Sequence, residues 1–159
     1  MARQLRRDLP DGAFHVATRG VFGALVHRDR VDYLTFLRLL DETASRYHWQ
    51  VDALCLMPTH HHLLVRCRCA ALSRGMHHLN GTYALAFNRR HGRHGHLFGD
   101  RFVARAVRGE RHYRKLCRYI VANPVRAGLC QDAADWPWTI AASTRAARES
   151  ASPGRRRRP

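Results

Sequence analysis

The chain has 159 residues, 45% hydrophobic and 25% charged, which suits one globular domain with a buried core and excludes two domains of ordinary size. Twenty-eight basic residues face 12 acidic ones, a net charge of +16 in which Lys115 is the only lysine, so polyanions and above all nucleic acid are the expected partners. The five cysteines (Cys55, Cys67, Cys69, Cys117 and Cys130) form no Cys-x-x-Cys pair, which removes support for a zinc ribbon or a thioredoxin-like site and fits reduced core thiols.

Arg3, Arg6 and Arg7 are followed by Asp8, Pro10, Asp11 and Gly12 rather than an apolar stretch, so no signal peptide is readable. No run is long enough to span a membrane, and a cytoplasmic, nucleoid-associated protein is expected. Weak alternation predicts a short strand over 13–19, ending at Gly20. Asp29 is a good N-cap for a helix over 30–48, with Val31, Leu34, Leu37, Leu40, Ala44 and Tyr47 as its apolar stripe. Two apolar runs, Val51–Met57 and His61–Cys67, flank Pro58-Thr59 and predict an antiparallel hairpin. Ser73 opens a second helix along Met76, Leu79, Tyr83 and Phe87, weakened by Gly75 and Gly81 and stopped by Gly92. A His- and Gly-rich loop over 91–99 leads to a strand over 101–107. A third helix runs from Glu110 to Asn123, where Pro124 ends it. Trp136-Pro137-Trp138 packs back on the domain, and apolar patterning stops near Thr144. The reading is one domain over 1–144 and a basic, disordered tail over 145–159 that ends in Arg155–Arg158. The element order implies an α+β sandwich, a ferredoxin-like antiparallel sheet with helices mainly on one face.

Within the second hairpin strand, residues two apart share a face, so His60 and His62 point one way and His61 the other. Two imidazoles at alternate positions can converge on one divalent cation. His94-Gly95-His96 has the same spacing but sits among glycines in a loop, where nothing fixes the rings. On the third helix Tyr119 lies roughly 100° from the Tyr113–Ile120 stripe, flanked by Lys115 at i−4 and Asn123 at i+4. A phenol is a weak nucleophile at neutral pH, and a nearby cation favours the phenolate while neutralising a phosphate under attack. Two imidazoles with the Asn123 oxygen suit Mn²⁺, and Mg²⁺ stays open as the alternative. Neither the histidine pair nor the tyrosine is specific by itself.

Beyond these residues, seven segments occur in one order: Phe14-His15-Val16 with Thr18-Arg19-Gly20; Cys55 to Val65; Leu72 to Met76; Phe87 to Gly92; Gly95 to Phe98; Arg118 to Leu129; and Asp135 to Trp138. Over residues 10–140 the chain resembles the single-tyrosine HUH transposases of small insertion sequences, and above all the REP-associated tyrosine transposases. That resemblance implies an HUH nuclease fold, His60 and His62 as metal ligands completed by Asn123, and Tyr119 as the nucleophile. It also implies a 5′-phosphotyrosine intermediate with a free 3′-OH, and a substrate of single-stranded DNA carrying imperfect hairpins. His61 stands where the family usually has a hydrophobic residue. Thr59 replaces the usual asparagine, and Asp100 follows Gly99 where Gln-Gly is usual.

Candidate phosphate contacts are Arg3, Arg6, Arg7, Arg19, Arg66, Arg74, Arg89, Arg90, Arg101, Arg105 and Lys115. A non-catalytic module that grips structured single strands is the competing reading, followed by a hydrolase that activates water. Monomer and homodimer both stay open.

Overall fold

The structure, a computed structural model, describes residues 10–141. Arg3, Arg6 and Arg7, the 144/145 boundary and the terminal arginines lie outside the described residues. In chain order the elements are β1 (Gly12–Arg19), α1 (Arg30–Tyr47), β2 (Gln50–Leu56), β3 (His60–Cys67), α2 (Cys69–His91), β4 (Val103–Ala106), α3 (Gly109–Arg126) and β5 (Thr139–Ala141). The strands form one antiparallel sheet in the order β4-β1-β3-β2-β5, so the expected α+β architecture is present.

Alternation along the strands gives the sheet two different faces. Phe14 and Val16 of β1, with Leu54 and Leu56 of β2 and Leu63 and Val65 of β3, bury against α1 and α2 through Phe36, Leu40, Met76, Leu79 and Tyr83. The opposite face carries Ala53, Cys55, Met57 and Leu64, and α3 is the described helix that covers it, through Ile120, with Trp136 packed beside it. Leu64 and Ile120 are both fully buried, and each stabilises the fold by about 2 kcal/mol. Two helices on one face and one on the other decide which side chains α3 meets.

Several elements differ from the sequence expectation, each for a tertiary reason. The α1 stripe holds in its C-terminal part, where Leu37, Leu40, Ala44 and Tyr47 pack on the core, but shifts at its start: Tyr33, Phe36 and Leu39 are buried, while Val31 and Leu34 are exposed. Both stripes have helical period, so partners choose between them. Asp32 is buried in an ion cluster with Arg90 (2.6 Å) and His91 (3.0 Å), and Tyr33 stacks on Trp138 at 4.4 Å between centroids. Helix α2 begins at Cys69, four residues before Ser73, because the Asp11 carboxylate accepts from the Cys69 N–H at 2.8 Å. A cap supplied from 58 positions away leaves no local signature. Gly75 does not weaken α2 at random, since a Cβ there would collide with the Trp49 indole.

Helix α3 does not stop before Pro124 but continues to Arg126. Proline has no N–H for the Ile120 carbonyl, and the Asn123 amide takes up the freed acceptor, donating to Tyr119 O at 2.9 Å and Ile120 O at 3.4 Å. Trp136-Pro137-Trp138 packs back as expected, with the Trp136 indole N–H donating to Leu56 O at 2.9 Å. The chain then adds β5 against β2, an edge strand too short for a sequence pattern.

His61 is fully buried beside Phe36, and among the described residues neither of its ring nitrogens has a hydrogen-bond partner. His61→Leu therefore raises stability by about 1–3 kcal/mol in urea titration at pH 7.5, and a loss of that size contradicts this packing account. His27, also buried, donates to Met57 O at 2.8 Å, and burial holds its pKa down to about 4. Unfolded, it protonates near pH 6.5, so between those values only the unfolded state takes up the proton. Stability from this group is intact above pH 6.5 and falls on acidification, by about 2 kcal/mol at pH 5. Urea titrations across that range check it, and a flat profile contradicts it.

Candidate metal and tyrosine site

The site begins with strand register. β1 pairs with β3 so that Arg19 opposes His60, Thr18 opposes His61 and Ala17 opposes His62. His60 and His62 therefore lie on the α3 face with Leu64, as the two-residue period requires, and His61 enters the core. Beside Ala17 on the same face of β1 stands His15, whose Nε2 lies 3.1 Å from His62 Nδ1. His60 Nδ1 lies 3.0 Å from the Thr59 hydroxyl. Both Nδ1 atoms are thus engaged, and among the described residues no hydrogen bond reaches either Nε2.

The three imidazoles are held neutral. Burial, then the neighbouring His15 and His60, pushes the His62 pKa down to about 3. Burial and the Arg19 charge lower that of His60. Burial, with Arg105 and His112 behind it, lowers that of His15. Neutral imidazole is the form that coordinates metal, so no proton has to be displaced. Among the described residues no three His, Cys, Asp or Glu side chains converge as a complete ligand set. The donors at hand are two imidazoles, with Asn123 as an amide outside that count.

Tyr119 reaches this cluster from α3. Its ring centroid is 5.9 Å from that of His62 and 6.2 Å from that of His15, edge-on in both cases. The Arg126 guanidinium lies over the tyrosine face at 5.2 Å. Asn123, one turn after Tyr119, turns its amide nitrogen toward the helix carbonyls, and among the described residues no hydrogen bond reaches its oxygen. Of the sequence-predicted group, His60, His62 and Tyr119 lie together on the α3 face, and Asn123 follows one turn after the tyrosine on α3. His15 and Arg126 are the members that sequence reasoning missed. His15 could have been found by carrying the alternation of β1 across to β3, and Arg126 only by extending α3 through its proline.

A concavity of about 330 Å³ opens beside the pair, bounded by Arg19, Gly20, His60, His62, Asp100, Arg101 and Val103 among others. Arg19 and Arg101 bring positive charge to its rim, and Arg105, opposite His15 on β4, sits on the same face. Lys115 is exposed one turn before Tyr119. Arg66 and Arg90 are committed elsewhere: Arg66 grips Asp52 at 2.6 and 2.8 Å, and Arg90 bridges Asp29 and Asp32. Arg89 is exposed on α2. Arg74 lines a larger cleft of about 800 Å³ with Arg46, Tyr47 and Arg68. That cleft lies near the Cys67 end of β3, roughly 23 Å along the strand from His60, and is remote from the tyrosine.

Comparison with known proteins identifies the family and the fold. The profile of the IS200-like transposases matches residues 25–123. A chain of Haemophilus influenzae named "Putative REP-associated tyrosine transposase" is 26% identical over 151 residues, covering 84% of this chain and 82% of that one. The solved structure of a REP-associated tyrosine transposase bound to a REP hairpin superposes with a TM-score of 0.72 at 19% identity, over 96% of this chain and 89% of that one. Among the described residues no helix is long and apolar enough to cross a membrane. With its profile spanning most of the sheet and both ends of the histidine–tyrosine cluster, the chain belongs to the IS200-like transposases, enzymes that cut and rejoin DNA.

Proposed function

We propose that this transposase nicks and rejoins single-stranded DNA beside an imperfect hairpin, through a covalent bond between Tyr119 and a 5′ phosphate. The observation that carries the reading is the approach of Tyr119 to His62 within a single chain, 5.9 Å between ring centroids. The hairpin is supported by the structural relative, which holds a REP hairpin.

The residues present fit a divalent ion. If His60 and His62 ligate through Nε2, each neutral ring must carry its proton on Nδ1. The Thr59 hydroxyl and His15 Nε2 stand where those protons need acceptors, at 3.0 and 3.1 Å. Metal-binding histidines are commonly held by such a second hydrogen bond. Asn123 would contribute its oxygen, and Mn²⁺ or Mg²⁺ suits a set of this kind. Bound there, the ion would draw charge from the scissile phosphate and favour the phenolate.

The remaining chemistry falls to the chain. Tyr119 Oη attacks phosphorus, the P–O3′ bond breaks, the phenolic proton leaves to solvent and the departing oxygen takes one up as a 3′-OH. Reversal of these steps by the same or another 3′-OH rejoins DNA, and the conserved bond energy removes any need for ATP. Arg126 over the ring and Arg19, Arg101 and Arg105 around the site would neutralise the strand as it enters.

Incubation of the protein with labelled hairpin DNA and Mn²⁺ or Mg²⁺, followed by denaturing electrophoresis, yields a covalent adduct that Tyr119→Phe abolishes. An equal adduct from Tyr119→Phe overturns the assignment of the nucleophile, free cleaved product that Tyr119→Phe leaves unchanged favours a hydrolase, and hairpin binding without cleavage under either metal favours a binding module. His15→Ala and Thr59→Val each weaken Mn²⁺ binding about 10- to 100-fold in calorimetric titration of the DNA-free protein, with the fold intact by circular dichroism. Unchanged affinity in both contradicts the assignment of Nε2 as the ligating atom.

A further inference from the structure

The loop between β1 and α1 carries the most exposed apolar side chain among the described residues. Phe22 is fully exposed at 105%, and its backbone sits in the left-handed region at φ 50°, ψ 30°. Side chains other than glycine, asparagine and aspartate seldom adopt that conformation, and a ring the size of phenylalanine seldom remains entirely in water.

The surrounding backbone enforces both features. Gly20 N–H donates to Thr59 O at 2.8 Å and Val26 N–H to Pro58 O at 2.7 Å, tying both ends of the loop to the turn that precedes His60. Val21 N–H donates to Leu97 O at 3.0 Å, and Ala24 N–H closes the turn on Val21 O at 2.8 Å. At Gly20 a Cβ would collide with the Ala24 carbonyl, so the turn is as tight as glycine permits. Phe22 is therefore held out on a short rigid support rather than on a slack loop.

Its place determines what can cover it. Gly20, two residues earlier, lines the same concavity as His60, His62, Arg19 and Arg101. A strand whose phosphates pass those arginines carries its bases alongside, and an unpaired base has an apolar face that stacks on an aromatic ring without regard to sequence. A wholly apolar partner would have to desolvate the flanking guanidinium groups. We infer that Phe22 is a stacking platform for one unpaired base of the strand that enters the His60–His62 concavity. This rests on the single-stranded DNA reading above and adds to it the residue that separates an unpaired flank from a paired stem.

The test uses the full chain, a hairpin with an unpaired flank carrying 2-aminopurine at one position at a time, and the same hairpin without the flank. The wild-type protein quenches one flank position. Phe22→Asn, which tolerates left-handed backbone, abolishes that quench and weakens binding of the flanked hairpin about 5- to 150-fold. Binding of the flankless hairpin stays unchanged, and Phe22→Trp restores both quench and affinity. The inference is overturned if Phe22→Asn binds and quenches as wild type does. It is equally overturned if both hairpins weaken together, or if the substitution changes the oligomeric state by light scattering instead of the quench. Wild-type protein that binds neither hairpin sinks the nucleic-acid reading and this inference with it. A Phe22-dependent quench without covalent adduct sinks only the cleavage reading.

Discussion

The pairing of β1 with β3 in a single register is the constraint on which the site depends. With Ala17 opposite His62, the first and third histidines of the run share the α3 face with His15, and the middle one goes into the core. A slip of one residue would turn every side chain to the opposite face, burying His60 and His62 and presenting His61 alone. The register is held by unequal burial: Phe14, Val16, Leu63 and Val65 belong to the larger core beneath α1 and α2. The apolar content of one face thus fixes the polar content of the other.

Helix α3 supplies the second requirement, a tyrosine at the edge of its buried stripe. Ile120 anchors the helix on Leu64, and the next position back, Tyr119, is carried to the side where the imidazoles stand. Pro124 and Asn123 act together there. The proline removes a hydrogen bond, the Asn123 amide replaces it, and that engagement turns the amide oxygen away from the helix carbonyls. Continuation of α3 to Arg126 then sets a guanidinium over the tyrosine ring. One local repair of a broken helix bond thereby orients two polar groups near the phenol.

Sequence patterning was enough for the order of elements from β1 to α3 and the split of His60 and His62 from His61, because strands and the histidine split follow from a two-residue period and helices from one of 3.6 residues. It was insufficient where two solutions share a period. The start of the α1 stripe was misplaced since Val31 and Leu34 recur as regularly as Tyr33 and Phe36, and the Asp32 cluster and Trp138 separate them. The start of α2 depends on Asp11, far away in the chain, and β5 is three residues long. Arg66 and Arg90 illustrate the same limit for charge: composition counts them as available, whereas each is gripped by carboxylates. His15 was legible only within a segment, and its meaning required knowing which strand lies beside it.

A structure of the protein soaked in Mn²⁺, with anomalous scattering recorded at the manganese edge, tests the central claim most directly. The account predicts one peak bounded by Nε2 of His60 and Nε2 of His62 on the Tyr119 side, with both Nδ1 atoms still bonded to Thr59 and His15. A peak bound through Nδ1, or manganese only at sites remote from Tyr119, would contradict it.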